Sequence, residues 1–83
     1  MTNDKVFWYL YLVRCRDGSI YTGITNDVEA RIREHNQGSG AEYTAQRRPV
    51  MLIYQEQHPD QDSARRREEQ IKRWGKEKEG VFS

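Results

Sequence analysis

Residues 6–24 read VFWYLYLVRCRDGSIYTGI, and the fold turns on this stretch. Aromatic and β-branched side chains dominate residues 6–15, which favours a strand. Both parities are apolar: Trp8, Leu10 and Leu12 point one way, and Phe7, Tyr9, Tyr11 and Val13 the other. A short strand apolar on both faces belongs in the middle of its sheet. Asp17-Gly18 then signals a hairpin turn, and residues 19–24 return as a second strand.

Two registers are open to this hairpin. A two-residue Asp17-Gly18 loop pairs Arg16 with Ser19 and puts Tyr11 and Tyr21 on opposite faces. A three-residue loop, with Gly18 at positive φ, pairs Cys15 with Ser19, Val13 with Tyr21 and Tyr11 with Gly23. The second register is favoured. It gathers Tyr9, Tyr11 and Tyr21 on one face and leaves Trp8, Leu10, Leu12, Ile20 and Ile24 together on the other.

Downstream, the spacing of Val28, Ile32 and His35 marks one face of a helix. Asn26 is its expected N-cap, with Glu29 completing a capping box, and Gly38 its expected stop. Residues 38–49 read as a loop holding a short helical turn near Glu42 to Gln46. Residues 50–57 (VMLIYQEQ) form a third apolar run, broken at His58-Pro59. A last helix, capped by Asp60, Asp62 or Ser63, runs to about Trp74, with Gly75 as its stop. The expected fold is a single α+β domain with β-β-α-β-α order. It has a small, three-stranded, mostly antiparallel sheet with flanking helices, an ordered core over about 6–76 and a flexible tail over 77–83.

Composition bounds the rest. A chain of 83 residues supports one thin core, since domains this short bury only about 60% of the surface their unfolded chain exposes. Aromatics at 11% argue against disorder. The net charge of +1 makes no case for a polyanion partner by itself. The cations are uneven, however: half of the 14 lie between Arg65 and Lys78, mixed with acids. A single cysteine excludes an internal disulfide, and the polar N-terminus shows no signal-peptide core. Both fit a cytoplasmic protein, and Cys15 reads as a small strand hydrophobe.

Chemistry-bearing residues stand at four places, each with a structural reading beside the functional one. Tyr11 and Tyr21 share a strand face, where they either pack or present hydroxyls. Arg31 and His35 are neighbours on the first helix: a guanidinium that can clamp phosphate and an imidazole that can move a proton. Their bland alternative is a solvated arginine and a histidine packed beside Ile32. Glu68 lies on the least polar stripe of the last helix, with Ala64, Ile71 and Gly75. A carboxylate there needs a partner: a hard cation such as magnesium, an arginine, or Lys72 four residues on. Arg47 and Arg48 in the loop, and Arg65 to Arg67 on the last helix, are either phosphate contacts or solvated charge. Tyr43 and Thr44 offer further phosphate hydrogen bonds. His58 reads as an exposed loop residue. No zinc spacing, nucleotide-binding glycine loop or serine or cysteine nucleophile pattern is present.

Taken in order, Tyr9-Leu10-Tyr11, Tyr21-Thr22-Gly23, Arg31, His35 and Glu68 resemble the GIY-YIG endonuclease family over residues 7 to about 76. The chain looks closest to small stand-alone bacterial members, which share stretches similar to YLYLVRCRDGSIYTGITNDVEARIREHNQG and a late E-x-x-I-K-x-W, here Glu68 to Trp74. The resemblance implies a nuclease acting on DNA, with branched and single-stranded forms among the candidate substrates, in repair or recombination. It implies one magnesium or manganese ion on Glu68 and catalytic roles for Tyr11, Tyr21, Arg31, His35 and Glu68. Arg47, Arg48, Arg65 and Lys72 are the expected nucleic-acid contacts, and a monomer is the default. The first motif lacks its glycine. Ile24 stands where several members carry lysine, and no asparagine follows Glu68. The alternatives are a nucleic-acid-binding module of the same fold without turnover, and an adaptor docking through Trp74.

Overall fold

The hairpin takes the three-residue turn. In a computed structural model that describes residues 6–77, the Cys15 amide donates to the Ser19 carbonyl at 2.8 Å and Gly18 sits at φ +89°. Strands β1 (Trp8–Arg14) and β2 (Ile20–Thr25) pair antiparallel, with Tyr11 opposite Gly23 and Val13 opposite Tyr21. Asp17 stiffens the turn by accepting from the Ser19 amide and hydroxyl. Strand β3 (Met51–His58) pairs antiparallel with the other side of β1, giving the order β2-β1-β3 with the doubly apolar strand in the centre. A bulge between Leu12 and Val13 shifts the β1–β3 register.

Each face of β1 makes its own core. Leu10 and Leu12 pack with Ile71, Ile20 and Ile24 beneath helix α3 (Gln61–Glu77). Tyr11, Val13, Cys15 and Val50 pack with Tyr21, Ile32, Tyr43 and Leu52 on the side of helix α1 (Val28–Gln37) and the one-turn helix α2 (Glu42–Ala45). Fully burying one such apolar side chain contributes about 1.5–3 kcal/mol, so two thin layers suffice for a chain this short.

The helix ends correct two expectations. The N-cap of α1 is Asp27, not Asn26: the Asp27 carboxylate accepts the Ala30 amide at 3.1 Å. Gly38 does close α1, in the left-handed region. Helix α3 starts at an Asp60 cap, whose carboxylate accepts the Ser63 amide at 2.8 Å. It runs through Gly75 to Glu77. A helical glycine costs only about 1 kcal/mol against alanine, and Lys76 and Glu77 favour helix, so nothing stops the chain there. The rest of the expected tail, and the side chain of Trp74, lie outside the described residues. His58 is not a free loop residue: it ends β3, with Nδ1 on the Ser63 hydroxyl and Nε2 on Glu56, both at 2.8 Å.

Candidate active site

The site is built on the α1 face of the hairpin, where Gly23 makes room for it. Tyr11 crosses the empty position opposite it on β2. A Cβ on Gly23 would stand 2.5 Å from the Tyr11 hydroxyl. Tyr11 therefore reaches over the edge strand while remaining only 1% exposed.

Its hydroxyl meets Nε2 of His35 at 2.7 Å. His35 is fully buried, and its Nδ1 meets the Thr44 hydroxyl at 2.7 Å. The direction of these bonds follows from the far end. The Thr44 hydroxyl donates to the Ala41 carbonyl at 2.9 Å, so it accepts from His35, and Nδ1 carries the imidazole proton. Nε2 then presents a lone pair, and Tyr11 is the donor. The Ala41 amide also approaches Nδ1, but at 3.5 Å it is the weakest contact of the group. Gly40 completes the seat, since a Cβ there would collide with Nδ1.

Charge sets the protonation of this chain of bonds. Burial lowers the His35 pKa below 6.5, and the Arg31 charge lowers it further, against a smaller opposing pull from Glu34. The imidazole is therefore neutral near pH 7. Burial pushes the Tyr11 phenol up to about 12. Arg31 restrains that rise, while Tyr21 and Glu68 add to it, so both charged groups lie within electrostatic reach of the hydroxyl. Arg31 is half-buried and holds Glu34 at 2.8 Å through one Nη. Glu68 comes from α3 between the buried Ala64 and Ile71. Its side chain is 18% exposed and pairs with Lys72 at 3.0 Å, the structural partner foreseen for it.

A wall of rings closes the side toward the hairpin turn. Tyr21 meets His35 edge-on at 5.4 Å and stacks on Tyr43 at 5.9 Å. The Arg47 guanidinium covers Tyr43, 3.8 Å from its centroid, and binds Asp17 at 3.1 Å and the Tyr43 carbonyl at 2.9 Å. Tyr11, Tyr21 and His35 thus meet directly, whereas Arg31 from α1 and Glu68 from α3 reach the Tyr11 hydroxyl through their charge. Tyr9 does not join them; it lines a cleft at the start of α1. Thr44 is fully buried with both bonds inside the protein. It cannot touch phosphate, contrary to expectation. Of the triple arginine run, Arg66 pairs with Asp62 and Arg67 with Glu56, while Arg65 is exposed. Arg48 donates to the Ala45 carbonyl at 3.0 Å.

Thr44 is the positioning residue that the sequence did not reveal. Its only advance signal is a hydroxyl residue on a one-turn helix after Gly40.

Residues 7–80 match the family described as the GIY-YIG catalytic domain. The chain is 52% identical over 69 residues to a UPF0213 protein of Staphylococcus haemolyticus, covering 83% of this chain and 84% of that protein. It is 50% identical over 70 residues to a UPF0213 protein of Staphylococcus saprophyticus, covering 84% and 85%. The solution NMR structure of a UPF0213 protein from Bacillus halodurans matches at TM-score 0.50 and 42% identity, covering 81% of this chain and 71% of that one.

Proposed function

The chain belongs to the GIY-YIG family, and on that footing we propose that it hydrolyses DNA phosphodiester bonds with the help of one divalent cation. The observation that carries the reading is the Tyr11–His35 bond, a phenol donating to a buried, neutral imidazole whose other nitrogen is fixed by Thr44. A phenol with a pKa of about 12 is a poor base alone. Coupled to a neutral histidine it becomes a relay. As water forms its bond to phosphorus, a water proton passes to the Tyr11 oxygen and the Tyr11 proton passes to Nε2 of His35. The P–O bond to the leaving oxygen breaks, and that oxygen takes a proton from solvent. Imidazolium is disfavoured among these buried rings and beside Arg31, so His35 returns its proton to the Tyr11 oxygen as Tyr11 releases one to solvent, which replaces the proton taken by the leaving oxygen.

Arg31 has guanidinium donors beyond the one given to Glu34, and these offset charge on the phosphate. Tyr21 fixes the far edge of His35 by ring contact.

The donor set fits a hard cation at one carboxylate. Glu68 supplies an oxygen partly withdrawn from water, and among the described residues no three acidic, histidine or cysteine side chains cluster to hold a metal. Magnesium or manganese would therefore be held by Glu68, with phosphate and water completing its shell. When bound, the ion supplies charge neutralisation at the phosphate. Arg65 is an accompanying phosphate contact, and no helix among the described residues is long and apolar enough to cross a membrane.

A binding module without turnover is the second reading. Two observations favour it: Lys72 occupies Glu68, and Ile24 packs into the α3-side core. One assay separates them: cleavage of flapped, branched, single-stranded and duplex DNA with magnesium, manganese or chelator, beside Glu68→Ala. Metal-dependent cleavage lost in the variant supports the nuclease. Binding that ignores metal, with no cleavage of any substrate, supports the module.

A further inference from the structure

Clefts of several hundred cubic ångströms open on the surface of the described residues, and their charges differ. The cleft at the start of α1, about 650 Å³, carries Asp27 and Glu29. The cleft along α3, about 500 Å³, carries Glu69 among its arginines. The third, about 440 Å³, is lined by Arg16, Asn36, Ala45, Gln46, Arg48 and Pro49. It holds two guanidinium groups and no carboxylate.

Its two cations come from separate parts of the chain and are held differently. Arg48 is fixed in advance. Its Nε donates to the Ala45 carbonyl, and its Nη1 would lie 2.9 Å from a Cβ on Gly38. A guanidinium already ordered loses little further freedom when it binds. Arg16 is exposed beside the hairpin turn, and its backbone N–H donates a hydrogen bond to the Arg47 carbonyl at 2.9 Å, next to Arg48 in the chain. Asn36 is a passive wall, because its side-chain amide is spent on both backbone groups of Val50. Gln46 adds a neutral hydrogen-bonding group.

The cleft borrows its walls from the elements that hold the active site. Asn36 follows His35 in α1, and Ala45 follows Thr44 in α2. A polymer with regularly spaced phosphates would meet both places. We infer that the Arg16–Arg48 cleft binds a backbone phosphate of the nucleic-acid strand on which the site at Tyr11, Arg31 and Glu68 acts. Guanidinium groups bind such a phosphate with paired hydrogen bonds. The assignment of the strand to the active site rests on the nuclease reading; the phosphate cleft itself does not.

The test is binding in chelator, where no metal-dependent cleavage can intrude. Fluorescence anisotropy of a labelled single-stranded oligonucleotide is measured across a salt series for the full chain, Arg16→Gln, Arg48→Gln and Arg33→Gln. Arg33 is an exposed cation on the acidic cleft and controls for general loss of charge. Arg16→Gln and Arg48→Gln should each weaken binding about tenfold, the worth of one charge-assisted hydrogen bond. Each should flatten the plot of log affinity against log salt by about 0.7. Arg33→Gln should leave the slope unchanged. Equal effects from all three variants, or none from Arg16→Gln, overturn the inference. Inorganic phosphate is titrated in parallel by NMR: competition only at concentrations far above the oligonucleotide's supports a strand phosphate, and equal potency overturns it. If the cleft variants lose binding while no substrate is cut, the nuclease reading fails and the cleft stands. If DNA is cut and these variants bind normally, the cleft fails alone.

Discussion

The Tyr11 hydroxyl donates across 2.7 Å to Nε2 of His35, which is wholly buried behind it. Tyr11→Phe keeps the ring and removes the proton. It should lower cleavage by about 10²-fold or more while oligonucleotide binding in chelator is kept. It also strands Nε2, which should cost about 1–3 kcal/mol in urea unfolding. Cleavage at the parent rate would remove Tyr11 from the relay.

Thr44 decides which nitrogen of His35 carries the proton. Thr44→Val keeps the shape and deletes the acceptor, so nitrogen NMR should show His35 moving away from the Nδ1–H tautomer. Cleavage should fall with it, and Thr44→Ser should restore both. An unchanged tautomer in Thr44→Val would show that the Tyr11 hydroxyl at Nε2 suffices to set it.

Acid should loosen the fold through His35. Its folded pKa lies below 6.5, so between these values the unfolded chain binds more protons and stability rises with pH. Stability should therefore fall as pH drops from about 7 through the folded pKa. Urea midpoints from pH 7 to 5, compared with His35→Gln, give the check; the same slope in both would assign the effect elsewhere. At the alkaline end the sign reverses. Tyr11 is raised from 10.0 to about 12, so its contribution is full below pH 10 and lost as pH climbs toward 12.

Two glycines should fail differently. Gly18 has φ +89° and open space, so Gly18→Ala should cost about 1 kcal/mol of backbone strain and leave cleavage intact. Gly23 has an unremarkable φ and no space, so Gly23→Ala should displace the Tyr11 hydroxyl and lower cleavage much more than stability. Cleavage and urea midpoints of the pair decide it. An active Gly23→Ala would mean that Tyr11 has room to shift.

Lys72 and a cation compete for one carboxylate. Lys72→Met frees Glu68 from its 3.0 Å partner, so half-maximal cleavage should need less magnesium. Glu68→Gln should abolish the metal response. A higher magnesium requirement in Lys72→Met would mean that the lysine helps hold the substrate.

Most of this architecture could be read along the chain because it rests on short periods. The alternation in β1 gave its central place, and the wish to keep Leu10, Leu12, Ile20 and Ile24 together selected the turn. The i,i+4 spacing joined Arg31 to His35. What stayed hidden depends on loop closure or on local competition. Thr44 matters only because the chain after Gly38 folds back under His35, which no periodicity encodes. Asn26 and Asp27 are adjacent cap formers, and only backbone geometry chose between them. Arg16 gains significance only when Arg48 arrives across the cleft.

The empty position at Gly23 also bears on how this protein tolerates change. Every single-base substitution that replaces a glycine yields either a stop or a residue with a Cβ. The codon for Gly23 therefore has no mild missense neighbours: each one places carbon where the Tyr11 hydroxyl now lies. The same holds at Gly40, beneath His35. In a mutational scan, these positions should stand out as sharply intolerant sites.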